Sequence, residues 1–378
     1  MSSLHLDYIS SGPEGRPVAS PETLCLYGKA LRSMRKRLAQ PSEDTTKTAL
    51  VCCILFYCCE STIGDQKAAL QHLSNGRKLL ISAQQETARE ESEDMKRITI
   101  IFERLDMQAS FFEDDRVPVL ALPELRRQKA DCDAFSSEGK FHGVQDAQQQ
   151  LVRLQAWLYH FINKNVEFHE DPIDSLSLDI MQEKSALVQE YNSWFAALEE
   201  LEHREQHDDQ TSHGLRTLLV QFHICRMVLE SKFPQNQQVF GASPNPVAHH
   251  ILDLAETLLE HAMQLNALSN ATKTPPRRSF SLETGVVAPL FALALKCSDN
   301  SVATRATWLL ASSNRREGLY EALTMSQIIN ELRKSREGGL KIEEKVGTGM
   351  ESMSPLEYHI PEEYYGGGID KLLWSMRL

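Results

Sequence analysis

"ALVCCILFYCCE", residues 49–60, carries four of the chain's eight cysteines. Neither Pro nor Gly interrupts the chain from Thr45 to Ile63, and Gly64 follows directly. Such a run reads as an α-helix with a glycine stop. It is apolar on nearly every side, so it reads as buried. On that reading an Asp at either Leu55 or Phe56 would place an unpaired charge in a core.

The cysteines invite a metal or redox reading, and helix geometry argues against it. Cys52 and Cys59 share nearly the same face, whereas Cys53 and Cys58 point to different sides. At about 1.5 Å per residue, Cys52 and Cys59 lie about 10.5 Å apart along the axis. A zinc ion holds each sulfur at about 2.3 Å, so this pair cannot share one. No C-x-x-C and no suitably spaced His accompanies them. Buried cysteine behaves as a small hydrophobe, and core packing is the preferred reading. Cys25, Cys132, Cys225 and Cys297 are isolated in sequence and read the same way.

Working outward, helical spacing recurs almost throughout and strand signals are scarce. "PETLCLYGKALRSMRKRLA" places Leu24, Leu31, Met34 and Leu38 on one stripe, with Lys29, Arg32, Lys36 and Arg37 opposite. A nucleic-acid or nuclear-import patch is one reading of those charges; a solvated helix face is the preferred one. After Gly64, Asp65 is placed to cap "QKAALQHLSNGRKLLISAQ", making an antiparallel helical hairpin with the cysteine helix. Ala69, Leu70, Leu73, Leu80 and Ile81 are its inner side.

"ITIIFERLDMQASFF" continues the pattern. Residues 114–140, with Pro118, Pro123 and Gly139, read as a long loop. "GVQDAQQQLVRLQAWLYHFINKN" turns Leu151, Leu154, Leu158 and Phe161 inward. Further helical stretches begin at Ser177, Gly214, Asn245, Val286, Ser301 and Gly318, with "SNATKTPPRRSFS" as an interhelix break. The expected fold is all-α: an irregular bundle or solenoid of antiparallel helical hairpins with an irregular C-terminal tail. The expected organisation is a short N-terminal segment (1–22), a helical region (23–336) and an acidic, aromatic tail (337–378).

Length alone would allow about two to three domains. Apolar content of 42% and charged content of 24% are ordinary for a soluble globular protein. The net charge of −12 disfavours tight binding to DNA phosphates by this chain alone. The N-terminus lacks a basic segment followed by an apolar one, and the longest apolar run, Ala49–Cys59, is eleven residues against the about 20 needed to span a bilayer. The expectation is a soluble, intracellular protein without a membrane partner.

Catalytic signals are weak. His203 and His207 have i, i+4 spacing, but Arg204 stands where a metalloprotease needs Glu, and an exposed helix end is preferred. His249 and His250 open a helix and read as packing or solvated. Glu113, Asp114 and Asp115 lie in a loop without a recognisable partner. No nucleophile elbow, phosphate loop or dinucleotide fingerprint occurs. No catalytic, cofactor-binding, metal-binding or DNA-binding residue is therefore expected, and the chain reads as a non-enzyme. Arg277–Ser281, "RRSFS", matches a weak phosphorylation pattern; a solvated loop is preferred. In the tail, Glu351, Leu356, Glu357, Tyr358, Glu362, Glu363, Tyr364 and Tyr365 could meet a coactivator. Packing back onto the helices through Leu372, Leu373 and Trp374 is the preferred alternative.

Five stretches, in order, resemble the regulatory region of fungal zinc-cluster transcription factors. They are "LYGKALRSMRKRL", "LFYCCESTIGDQKAALQHLSNGRKLL", "FERLDMQASFF", "FHGVQDAQQQL" and "APLFALALKCSDNSVATRATWLLASSNRREGLYEA". The hairpin with His72 and Gly76, together with Cys297 and "RREGLYEA", is the most specific combination. The likeness runs from about Leu24 to about Leu332.

Members of that family typically begin with a module in which six cysteines hold two zinc ions. No such arrangement occurs here, so no zinc ligand carries over, and zinc enters only if an upstream module belongs to the protein. "SSLHLDYIS" resembles a segment that lies well after that module. In several family members Arg residues flank the counterpart of Asp299; here Ser298 and Asn300 stand there. The resemblance implies a transcription regulator in the nucleus, the cytoplasm being a second reading. It would act through protein partners or coactivators, with a homodimer left open and no sequence-specific DNA binding of its own. A non-enzymatic helical scaffold or cofactor protein derived from the same fold is the alternative.

Overall fold

The computed structural model describes residues 20–39, 44–86, 92–112, 118–120, 140–168, 171–204, 208–269 and 278–339. Among these are twelve α-helices and one three-stranded sheet. The fold is all-α, and its helices pack as a bundle.

Helix α1 spans Pro21–Ala39, α2 Thr45–Ile63, α3 Gln66–Glu86 and α4 Glu93–Phe112. Helices α5 (Val144–Lys164), α6 (Leu178–Arg204) and α7 (Asp209–Glu230) follow. After the single turn α8 (Gln238–Gly241) come α9 (Pro246–Ser269), strand β1 (Ser279–Ser281), α10 (Val287–Lys296) and α11 (Asn300–Ser312). Strands β2 (Arg315–Glu317) and β3 (Tyr320–Glu321) lead into α12 (Ala322–Gly339).

The hairpin of α2 and α3 forms as its sequence dictates. Gly64 sits at φ +92°, and its N–H and that of Asp65 both return to the Glu60 carbonyl, at 2.9 and 3.0 Å. This left-handed stop suits glycine because a Cβ there is disfavoured. Asp65 then accepts the Ala68 N–H at 2.9 Å and caps α3. Gly76 lets α4 approach closely: a Cβ there would collide with the ring of Phe102, which is fully buried.

One apolar cluster runs from Leu50 on α2 to Leu332 on α12. It joins the α2–α3 hairpin, the α4–α7 layer and the α9–α12 layer, so the helices share a continuous core rather than stacking as separate pairs. Capping residues set several entries. Asp208 accepts the Thr211 N–H at 2.8 Å, which starts α7 earlier than apolar spacing alone indicated. Asn245 accepts the Ala248 N–H at 3.1 Å at the start of α9, and Asp299 accepts the Ser301 N–H at 2.9 Å at that of α11.

Three expectations need correction. First, α2 is not buried all round. Leu50, Phe56, Tyr57 and Cys58 face the core, but Val51 and Leu55 are 39% and 40% exposed, because α1, α3 and α4 cover only part of the surface. Second, the α1 stripe is turned: Thr23 is buried and Tyr27 packs edge-on to Phe56 at 5.3 Å, leaving Leu24 and Leu38 exposed. Cys25 is exposed as well. Third, Ser279–Ser281 is a strand rather than loop, Tyr320–Glu321 is a strand rather than the start of a helix, and Arg315–Glu317 forms the strand between them. β1 pairs parallel with β2, and β2 turns back onto β3 through Gly318 at φ +54°. Strands of two or three residues are too short for alternation to reveal them.

Helix α2 is long and apolar enough to cross a membrane by length and composition. Here it is a partly buried bundle helix packed on α1, α3 and α4.

Candidate functional site

The cysteines of the opening stretch are thiols held in packing. Burial pushes the Cys53 and Cys58 thiols up to about 11 and about 12, and raises those of Cys52 and Cys59. Cys225 and Cys297 are raised to about 11 and about 12, again mainly by burial. A thiolate is the form that binds metal or attacks an electrophile, and these environments disfavour it. Among the described residues, no group of three or more His, Cys, Asp or Glu is placed to hold a metal ion. Cys132, Glu113, Asp114, Asp115, His207 and residues 340–378 of the tail lie outside the described residues, while residues 337–339 continue helix α12.

The remaining candidates occupy separate places. His203 is exposed at the end of α6, with its Nδ1 2.6 Å from the Glu199 carbonyl. The adjacent His249 and His250 diverge. His249 lies 3.3 Å from Ser301 Oγ and 3.5 Å from Asp299, while His250 meets the His223 ring edge-on at 5.2 Å. Ser281, on β1, is half-buried; its carbonyl accepts the Gly318 N–H at 2.8 Å and its Oγ lies 3.2 Å from the Glu283 backbone N–H and carbonyl. Of the basic residues on α1, Lys29, Arg32, Lys36 and Arg37 are exposed.

The resemblance motifs have structural roles. His72 packs at a tilt against Phe56, with ring centroids 5.1 Å apart, and its Nε2 lies 3.2 Å from Tyr27 Oη, which also donates to Glu60. Burial lowers the His72 pKa, which favours its neutral ring. The "RREGLYEA" block is a strap. Arg316, buried, donates to the Ser61 carbonyl at the end of α2 and to Glu321, both at 2.7 Å. Glu317, also buried, accepts the N–H groups of Gly285, Val286 and Val287 at 2.7, 3.1 and 3.0 Å. A carboxylate at this position satisfies the open N–H groups at the entry to α10 and the positive end of its dipole.

Two adjoining cavities share part of their lining, and Tyr320 of the strap lines the smaller one. One, of about 160 Å³, is walled by Leu158 and Ile162 of α5, Ile224 and Val228 of α7, and Ala288 and Ala292 of α10. The other, of about 190 Å³, is walled by Ile101 and Leu105 of α4, Val152 of α5 and Leu282. Phe111, Gln155, Gln221 and Thr284 line both. Gln221 Nε2 donates to the Thr284 carbonyl at 2.6 Å, and Gln155 Nε2 lies 3.7 Å from Cys225 Sγ. At the outer edge of the larger cavity, Glu283 accepts from Arg104 at 2.7 Å and Gln148 at 3.0 Å.

Sequence reasoning did not single out these glutamines. The available signal was position: Gln155 stands on the same helical stripe as Leu151, Leu154 and Leu158, where an amide needs a reason to be.

No family model and no solved structure matches this chain. A curated protein of Emericella nidulans, described as the aspercryptin biosynthesis cluster-specific transcription regulator atnN, is 22% identical over an aligned length of 374 residues. The alignment covers 78% of this chain but 59% of that protein, so the chain spans well under two thirds of the relative's length. In sequence, then, this chain is a distant relative of a fungal cluster-specific transcription regulator.

Proposed function

We propose that this chain is the helical regulatory region of a fungal zinc-cluster-type transcription regulator, working in the nucleus through contacts with other proteins. The similarity to the Emericella nidulans regulator across 78% of the chain carries this reading. The all-α bundle is compatible with a regulatory platform, and exposed leucines at positions 24, 26 and 38 offer apolar contact points on α1. The negative net charge agrees with a chain that does not itself grip DNA phosphates. In this reading there is no catalytic role, a separate zinc module reads DNA, and residues 23–336 form the regulatory unit between a short leader and an acidic tail.

The test joins the full chain to a heterologous DNA-reading domain and measures a reporter under its site. Expected is a severalfold change in output relative to the DNA reader alone, with the purified chain showing no sequence preference on DNA. Unchanged output from a folded fusion located in the nucleus would overturn the reading.

A further inference from the structure

The paired cavities contain a specific asymmetry. Gln155 and Gln221 are 7% and 6% exposed, and each aligns its amide nitrogen with a partner inside the protein. Among the described residues no hydrogen bond reaches the Oε1 atom of either, and both side chains line both cavities. The Gln221 orientation is fixed chemically, because the carbonyl of Thr284 can only accept. Its Oε1 is therefore an acceptor at the junction of two apolar spaces. With no protein donor on it, this oxygen is left to accept from a guest seated in the cavities, at the net worth of an ordinary hydrogen bond.

Size and polarity restrict the donor. A cavity of about 150 Å³ lined by Leu, Ile and Phe holds a benzene ring, and the smaller space here is of that order. A buried carboxylate is costly without a dedicated partner. Lys296 reaches the smaller cavity, but its ammonium sits over the Phe240 ring at 5.5 Å. Glu283, at the larger one, is already matched with Arg104 and Gln148. The walls therefore suit a neutral guest.

We propose that these cavities bind a neutral, ring-sized apolar molecule whose hydroxyl or amide N–H donates to the Gln155 and Gln221 carbonyl oxygens. The walls come from α4, α5, α7, α10 and β3, so a guest would bind the middle of the bundle to the strap. The assignment is independent of the transcriptional reading: it is tested on the purified full chain without DNA or a reporter.

The probes are 2-naphthol, naphthalene and 2-naphthoate, followed by calorimetric titration and thermal melting. Expected is saturable binding of 2-naphthol with a raised Tm, weaker binding of naphthalene, and no binding of 2-naphthoate. Gln221→Met should weaken 2-naphthol by about fivefold, the worth of one ordinary hydrogen bond, while leaving naphthalene unchanged. Ala292→Trp, which fills the smaller cavity, should abolish binding in a chain that still melts cooperatively; it keeps the test decisive if Gln221→Met fails to fold. Absence of 2-naphthol binding up to its solubility, equal binding by the filled variant, or tighter binding of 2-naphthoate would each overturn the proposal.

Discussion

The carboxylate of Glu317 accepts the Gly285 N–H at 2.7 Å across 32 residues of sequence. Two further N–H groups converge on it, and Arg315 Nε lies 2.7 Å away as an ionic neighbour. The glycine is required because a Cβ at position 285 would overlap that carboxylate. Removing it strands three N–H groups and a half-buried Arg. Glu317→Ala should therefore destabilise the chain by about 3 kcal/mol, read by chemical denaturation. Gly285→Ala should lower stability too, through overlap rather than loss of charge. Wild-type unfolding midpoints for both variants would refute the strap.

Leu55 and Phe56 are neighbours in sequence with opposite surroundings. Phe56 is 7% exposed and packs on Tyr27 and His72, whereas Leu55 is 40% exposed. Phe56→Asp should cost about 3–5 kcal/mol as an unpaired buried charge. Leu55→Asp should cost less than about 1 kcal/mol. Equal losses, measured by thermal melting, would contradict the orientation of α2.

Gly76 sets two tendencies against each other. Alanine in a helix interior is worth about 1 kcal/mol over glycine. Here its Cβ would meet the Phe102 ring and stand 3.0 Å from Cys53 Cβ. Phe102 is fully buried and cannot swing aside. Overpacking of this kind costs about 1–3 kcal/mol, so Gly76→Ala should be net destabilising. A gain in Tm would show that α3 and α4 are further apart than described.

Acid should weaken the fold through His223. Burial, then the neighbouring His250 and Arg226, lower its pKa to about 4. In the unfolded chain it takes a proton near 6.5, so the neutral ring favours the fold above that pH. Stability is lost as pH falls from about 6.5 toward 4. With water's screening of the part-exposed ring allowed for, the loss is about 2 kcal/mol. His223→Gln should flatten this part of the stability–pH curve. An unchanged slope in urea titrations across that range would assign the effect elsewhere.

Local rules account for much of the architecture. Uninterrupted apolar runs fix α2 and α10, Gly64 and Asp65 fix the turn between α2 and α3, and helical spacing fixes α5 and its inward leucines. These features depend on neighbours within a turn or two, so the order of residues expresses them directly. The core role of Cys58 was legible for the same reason.

The sequence by itself determined an all-α chain, its main helices and the absence of familiar catalytic motifs. Only tertiary structure decided which side of each helix is covered. Leu24, Val51 and Leu55 are exposed although their spacing is apolar, because burial depends on which element arrives from far along the chain. It also decided that Arg316 reaches Ser61 across 255 residues, and that Gln155 and Gln221 line the same two cavities. Contacts of that range have no period in the sequence. Their partners are chosen by packing and by the need to satisfy buried polar groups.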